Sequence, residues 1–216
     1  MSKGRSSCLS NSVNMNYEHI AFTDAVKKLQ ELNGSRAAYE RMENGYHEEG
    51  LTETEINFIS SRDSFYMAST SQTGYPYIQH RGGPKGFIKI LDESTLGLVD
   101  FSGNRQYISV GNSVDNNKVS LIMVDYPQRA RLKLFADIRI VEISDDPELF
   151  HQLDPAAYKH KAERIFLFSV KGFSWNCPQH ITPRYTVSEI EAAFAERNGY
   201  VQSLEEELKR LKGNKS

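Results

Sequence analysis

Residues 77–87, YIQHRGGPKGF, gather a histidine, an arginine and a lysine around a run of glycines at the end of a β-type segment. Gln79, His80 and Arg81 would supply hydrogen bonds and positive charge, while Gly82 and its neighbours would let a ligand approach the backbone closely. That combination suits a flat ligand carrying a phosphate tail. A bulge or turn at a barrel corner, with Arg81 and Lys85 in solvent, accounts for the same residues on structural grounds.

A second stretch, VDFSGNRQY at 99–107, runs from a strand through Phe101, Ser102 and Asn104 into Arg105 and Gln106, where a helix is expected to begin. Free backbone amides, the positive end of the helix dipole, a hydroxyl and a guanidinium would together hold a phosphate. The structural alternative is a helix whose Asn104 caps its own orphan amides. Further along, the lone Trp175 stands among Asn176, Gln179, His180 and Arg184 in an irregular segment, an apolar plane ringed by hydrogen-bonding groups. A buried structural tryptophan is the other reading. Cys177 near His180 matches no activated-thiol context and reads as a packed or tolerated cysteine.

The elements that must position these residues come in three groups. Residues 1 to about 17 are rich in Ser and Asn and are expected to be mobile. Residues 18–62 carry helical patterns: one from Thr23 to Gly34, a second from Ser35 to Gly45, and a third in which Thr52 and Glu55 have capping-box spacing. Over 63–186 the pattern changes to short β-rich runs separated by turn clusters, with helices expected in NRQYISVGNSVDNN and DDPELFHQL. The predicted fold is mainly β with flanking helices (α+β), a six- to seven-stranded antiparallel barrel or meander. Residues 187–216 form a helix whose Ile190, Phe194, Val201, Leu204, Leu208 and Leu211 have heptad spacing, with Arg197 in one seam position. A coiled-coil partner and an amphipathic helix lying on its own domain are both compatible with that pattern.

Composition narrows the function classes. A formal net charge of -2 over 216 residues leaves no basic field for non-specific nucleic-acid binding, so any anion site must be local. The longest apolar runs fall short of a membrane span, and the start lacks the apolar centre of a secretory signal, so a cytoplasmic protein is expected. The 6 histidines and 2 cysteines show no paired metal-ligand spacing, and Walker and Rossmann fingerprints are absent.

Taken in order, GSRAAYERME, RDSFYMASTSQTGYPYIQHRGGPKGF, DFSGNRQY and DYPQRARLKLF resemble the pyridoxamine 5'-phosphate oxidase-like flavoproteins, over about residues 20 to 186. The resemblance implies a split β-barrel of the FMN-binding type and a homodimer with FMN at the subunit interface. It implies that Arg81 or His80 reaches the phosphate, that Phe101, Ser102 and Asn104 to Gln106 cover the ribityl-phosphate end, and that Arg131 lies near the ring. It places Trp175, Asn176 and Arg184 against the other subunit's flavin. The implied activity is a two-electron redox reaction with a small molecule or reduced nicotinamide, NAD(P)H. Neither a nucleic-acid nor a membrane partner is implied, and no residue is assigned as catalytic, although His80 or His180 would be able to protonate a flavin nitrogen. The pattern departs from authentic pyridoxamine-phosphate oxidases at Gly82-Gly83-Pro84, at Arg105-Gln106 and at Asn176-Cys177-Pro178, so pyridoxal-phosphate synthesis is not carried over. A non-catalytic flavin sensor and the same fold binding deazaflavin or haem are the rival readings.

Overall fold

The computed structural model describes residues 16–213. Four short helices open the chain: α1 (Tyr17–Ala21), α2 (Asp24–Leu32), α3 (Arg36–Glu43) and α4 (Glu53–Ser60). The expected mobile stretch lies outside the described residues except for its end, which is held. Asn16 is buried and caps α1 through its side chain, and the Tyr17 ring stacks on Phe135 at 4.6 Å. α1 is a helix the sequence pattern did not announce. The capping box on α4 is present, with the Thr52 backbone N–H donating to the Glu55 carboxylate at 3.0 Å.

Seven strands follow: β1 (Ser64–Thr70), β2 (Pro76–Gly82), β3 (Lys89–Asp92), β4 (Thr95–Phe101), β5 (Lys118–Asp125), β6 (Ala130–Val141) and β7 (Ala162–Trp175). They form one antiparallel sheet in the order β2-β1-β5-β6-β7-β4-β3, so β2 and β3 are edges and the barrel is split rather than closed. Helix α5 (Ile108–Asp115) joins β4 to β5, and α6 (Pro147–Leu153) joins β6 to β7.

Alternation along β1, β5 and β6 turns Phe65, Met67, Val119, Leu121, Met123, Leu132 and Leu134 inward, as period-two patterning dictates. β4 and β7 are buried on both faces. Their inner face carries Leu96, Leu98, Phe166 and Phe168, and their outer face joins Val99, Ile165 and Leu167 to Leu153 of α6. Gly97 makes that seat possible, since a Cβ there would lie 2.8 Å from the Leu153 side chain.

Contacts divide the described residues into two compact units, one of 16–124 with Arg131–Cys177 and the other of Asp125–Ala130 with 178–213. Apart from Asp125 at the end of β5 and Ala130 at the start of β6, the strands and the N-terminal helices belong to the first. The second contains α7 (Val187–Gly213) and the loop before it, where Arg184 stacks on Tyr126 with 4.9 Å from guanidinium carbon to ring centre. No helix among the described residues is long and apolar enough to cross a membrane.

Candidate functional site

A cleft of about 220 Å³ opens where β2, the end of β4, the start of α5 and the start of β7 meet; its lining includes Gln79, Arg81, Asp100, Phe101, Arg105, Ser109, Glu163 and Arg164. Sheet register assembles it. On β2 the inward side chains are Tyr77, Gln79 and Arg81, with Arg81 opposite Phe65 of β1. Between β4 and β7, Asp100 pairs with Arg164 two residues beyond the Leu98–Phe166 pair, so the inner face changes from apolar to charged at its end.

Arg81 is the hub. Its side chain is 11% exposed and forms an ion pair with Asp100. It also donates to Gln79 Oε1 at 3.1 Å and to Ser109 Oγ at 3.0 Å, and its guanidinium carbon stands 4.5 Å over the Phe166 ring. Ser109 in turn donates to Gln79 Oε1 at 2.6 Å. Asn112, the next buried polar residue of α5, donates to Ser69 Oγ at 3.0 Å, so two hydrogen-bonding side chains fix this helix against the sheet.

A second carboxylate organises the rim. Glu163 accepts from Ser102 Oγ at 2.8 Å and from the Tyr107 hydroxyl at 3.4 Å, and it pairs with Arg164 at 3.0 Å and Arg105 at 3.9 Å. The Ser102 hydrogen bond, with Arg164 and Tyr107, holds its carboxyl below the usual glutamate range despite some desolvation. Asp100 behaves oppositely. Burial pushes its carboxyl up, and the opposing pull of Arg81 and Arg164 does not cancel that push.

The start of α5 differs from expectation. The helix does not begin at Arg105 and Gln106 but at Ile108, behind an N-cap, Tyr107, that makes no side-chain capping bond. Asn104 caps nothing in α5; its Oδ1 accepts from the Gln106 backbone N–H at 3.2 Å in a local turn. Arg105 and Tyr107 both adopt left-handed backbone conformations, φ 58° and 53°. Each such residue costs about 1–2 kcal/mol, and strain of this kind collects at binding sites. The first amides of α5 are left without a side-chain acceptor, and Arg105, 61% exposed, stands beside them.

Of the residues singled out from the sequence, the cleft brings together Gln79, Arg81, Phe101, Asn104, Arg105 and Gln106, with Ser102 hydrogen-bonded to its rim residue Glu163. His80 is not among them. It points to the opposite, exposed face of β2 and packs on Tyr66 with ring centres 5.3 Å apart, which leaves Arg81 as the cation on the cleft side. Gly82 is also exposed on that face. The glycine run has an internal cause: a Cβ on Gly83 would lie 2.7 Å from the Phe87 ring, and Gly86 has φ 76°. Those glycines serve core packing and a turn.

Arg131 and Asn176 lie elsewhere in the first unit, where the Asn176 backbone N–H donates to the Arg131 carbonyl at 3.1 Å. Trp175, beside them, donates through Nε1 to Glu55 Oε1 at 2.6 Å and meets Phe58 edge-on at 4.8 Å, tying β7 to α4. Arg184 and His180 belong to the second unit.

Sequence reasoning passed over Asp100, Ser109, Glu163 and Arg164. A buried-pattern strand interrupted by an aspartate, as in TLGLVDF, was the available signal for Asp100. Four buried side-chain polar atoms lack a hydrogen-bond partner among the described residues: Arg81 Nε, Arg131 Nε, Asn176 Oδ1 and Asp154 Oδ1. The last sits 3.0 Å from His160 Nε2 and is thereby paired. The three that remain all belong to residues the sequence had nominated. Buried polar atoms are nearly always satisfied, so each orphan marks a place where water or a bound group would supply the missing partner.

No family profile matches the chain, and no curated protein matches it. Among solved structures, HupZ of Group A Streptococcus is similar at 13% identity and TM-score 0.48, covering 62% of this chain and 99% of that one. A protein from Clostridium acetobutylicum related to general stress protein 26, of the pyridoxinephosphate oxidase family, aligns at 19% identity and TM-score 0.41, over 62% and 92%. An FMN-binding protein from Syntrophomonas wolfei aligns at 9% identity and TM-score 0.43, over 68% and 97%. Other similar structures are described as an F420 reductase and as a haem storage protein from Vibrio cholerae. The class in view is the open, seven-stranded split barrel with flanking helices. Another similar structure is described as a putative pyridoxamine 5'-phosphate oxidase from Lactobacillus delbrueckii, at 20% identity and TM-score 0.45, over 58% of this chain and 93% of that one.

Proposed function

We propose that the chain binds flavin mononucleotide in the Arg81–Arg105–Arg164 cleft and acts, as a cytoplasmic homodimer, as an FMN-dependent oxidoreductase on a small molecule or NAD(P)H. The observation that supports this reading is the cleft itself, which is lined by Arg81, Arg105 and Arg164 and includes the start of α5, where the N-cap makes no side-chain capping bond. When bound, FMN supplies two-electron redox chemistry at its ring.

The chain's own residues do the holding. Arg105, mostly exposed and paired to Glu163 only at 3.9 Å, is the cation free to turn toward a phosphate beside the uncapped start of α5. Arg81 and Arg164 are oriented by Asp100 and contribute field more than direct contact, since much of their donor capacity is already used. Three guanidiniums against the two carboxylates leave a surplus of one positive charge, enough to favour an anion without dispersing the carboxylates. Trp175 and Asn176 would contribute to the site of a second subunit, as the resemblance implies.

The absorption spectrum and mass of whatever copurifies with the chain test this reading. FMN predicts twin flavin bands, retained by Lys133→Ala and much weakened by Arg105→Ala, because Lys133 lies instead over the Tyr17 ring. A single violet deazaflavin band, a haem Soret band, or a colourless protein that FMN does not stabilise would overturn it.

A further inference from the structure

Helix α7 carries an apolar seam with a single charged position. Counting Val187 as position a of a heptad puts Ile190, Arg197, Leu204 and Leu211 at d and Phe194, Val201 and Leu208 at a. Seven of these eight positions are apolar, and every one of the seven is between 41% and 72% exposed: Val187 72%, Ile190 44%, Phe194 49%, Val201 44%, Leu204 41%, Leu208 53% and Leu211 61%. A stripe of large apolar side chains along a 27-residue helix, open to water throughout, marks an interaction surface.

The residues beside the seam say what covers it. In a parallel, in-register pair each g position faces the e position of the next heptad on the other helix. Here Glu207 at g faces Lys212 at e, an attractive pair made twice by symmetry, and Tyr200 at g faces Glu205 at e, a hydroxyl toward a carboxylate. Val201 at a followed by Leu204 at d is the β-branched and γ-branched order that favours two parallel strands. Arg197 is the one charged layer, adjacent to Asn198 and Gly199. A single polar layer lowers stability while fixing register, and a mid-helix glycine costs about 1 kcal/mol relative to alanine.

We propose that α7 pairs with α7 of a second copy of this chain as a parallel, in-register two-stranded coiled coil, with Arg197 as its register-setting layer. This pairing does not depend on the flavin reading, because none of its residues lines the cleft.

The test uses the full chain with Cys8 and Cys177 changed to Ser, so that one introduced cysteine reports one position. Leu204→Cys at d brings two thiols to the same layer of a parallel pair, within the roughly 7 Å between Cα atoms that a disulfide tolerates. Glu206→Cys at f faces away. Mild oxidation is expected to convert most of the Leu204→Cys chain to a covalent dimer and little of the Glu206→Cys chain. Adding Leu208→Glu is expected to abolish the crosslink, and Arg197→Leu to strengthen association in sedimentation. All four positions are on the exposed helix, so circular dichroism should show each variant folded. Equal crosslinking at 204 and 206, no crosslinking at 204, or a 204 crosslink that survives Leu208→Glu would overturn the proposal. Loss of flavin binding with this pattern intact would overturn only the flavin reading.

Discussion

Replacing Arg81 by Met removes the hub of the cleft while keeping most of its stem. The lost contacts are the ion pair to Asp100, hydrogen bonds to Gln79 and Ser109, and the stacking on Phe166. The decisive term is what stays behind: Asp100, 6% exposed, would keep only Arg164 at 3.4 Å. Breaking a buried pair from one side costs about 3–5 kcal/mol. In a chain of 216 residues that corresponds to a fall in Tm of about 10 °C.

The sign of the pH dependence follows from Asp100. Its carboxyl is already raised by burial, so the folded chain holds that proton more tightly than the unfolded chain. Such a group contributes stability below its ordinary value, and that contribution is lost as pH rises through the folded value. Without Arg81 the carboxyl rises further. The Arg81→Met penalty is therefore expected to be full at pH 7 and to shrink as pH falls toward about 4, the ordinary aspartate range. Thermal denaturation of wild type, Arg81→Met and Arg81→Met/Asp100→Asn across that range is the assay. The double variant should recover at least half the loss at pH 7, because the stranded charge is gone. A penalty independent of pH, or a double variant no better than the single, would refute the reasoning.

Gly83→Ala should destabilise the fold by about 1–3 kcal/mol, the usual cost of overpacking, because its Cβ would enter the Phe87 ring at 2.7 Å; chemical denaturation reads this directly. Glu43 is held to about 2, first by its hydrogen bonds to Arg36 and Lys27. A depressed carboxylate stabilises above its unfolded value and loses that contribution as pH falls toward the folded one. Glu43→Gln should thus lower Tm at pH 7, with the difference closing as pH falls from the ordinary glutamate range toward about 2. Glu163→Gln removes the carboxylate that Ser102, Tyr107, Arg105 and Arg164 share, so it should tighten FMN binding several-fold and leave riboflavin binding unchanged in a fluorescence titration.

The strands were legible because β1, β5 and β6 alternate cleanly and because turn clusters separate the runs; α4 was legible from Thr52 and Glu55 alone. α1 was not, since five residues carry little periodicity and its support is tertiary: Gly172 admits Tyr17, whose backbone would lie 2.8 Å from any Cβ there. The start of α5 was misplaced because two left-handed residues, Arg105 and Tyr107, are not glycines and announce nothing locally. Half of the cleft was missed for a related reason. Asp100, Glu163 and Arg164 come together through the β4–β7 register, across more than 60 residues of chain, and no local motif encodes that meeting. The glycines of GGPKG were conspicuous for a cause other than the one they suggested, since Phe87 and not a ligand occupies the space beside Gly83.

The account turns on a phosphate held at the Arg81–Arg105–Arg164 cleft, and a paired equilibrium titration of the purified chain with FMN and riboflavin isolates that contact. FMN is predicted to bind more tightly than riboflavin, with the preference diminished in Arg105→Ala. Equal affinity for the two, or a preference that Arg105→Ala leaves untouched, would contradict the assignment.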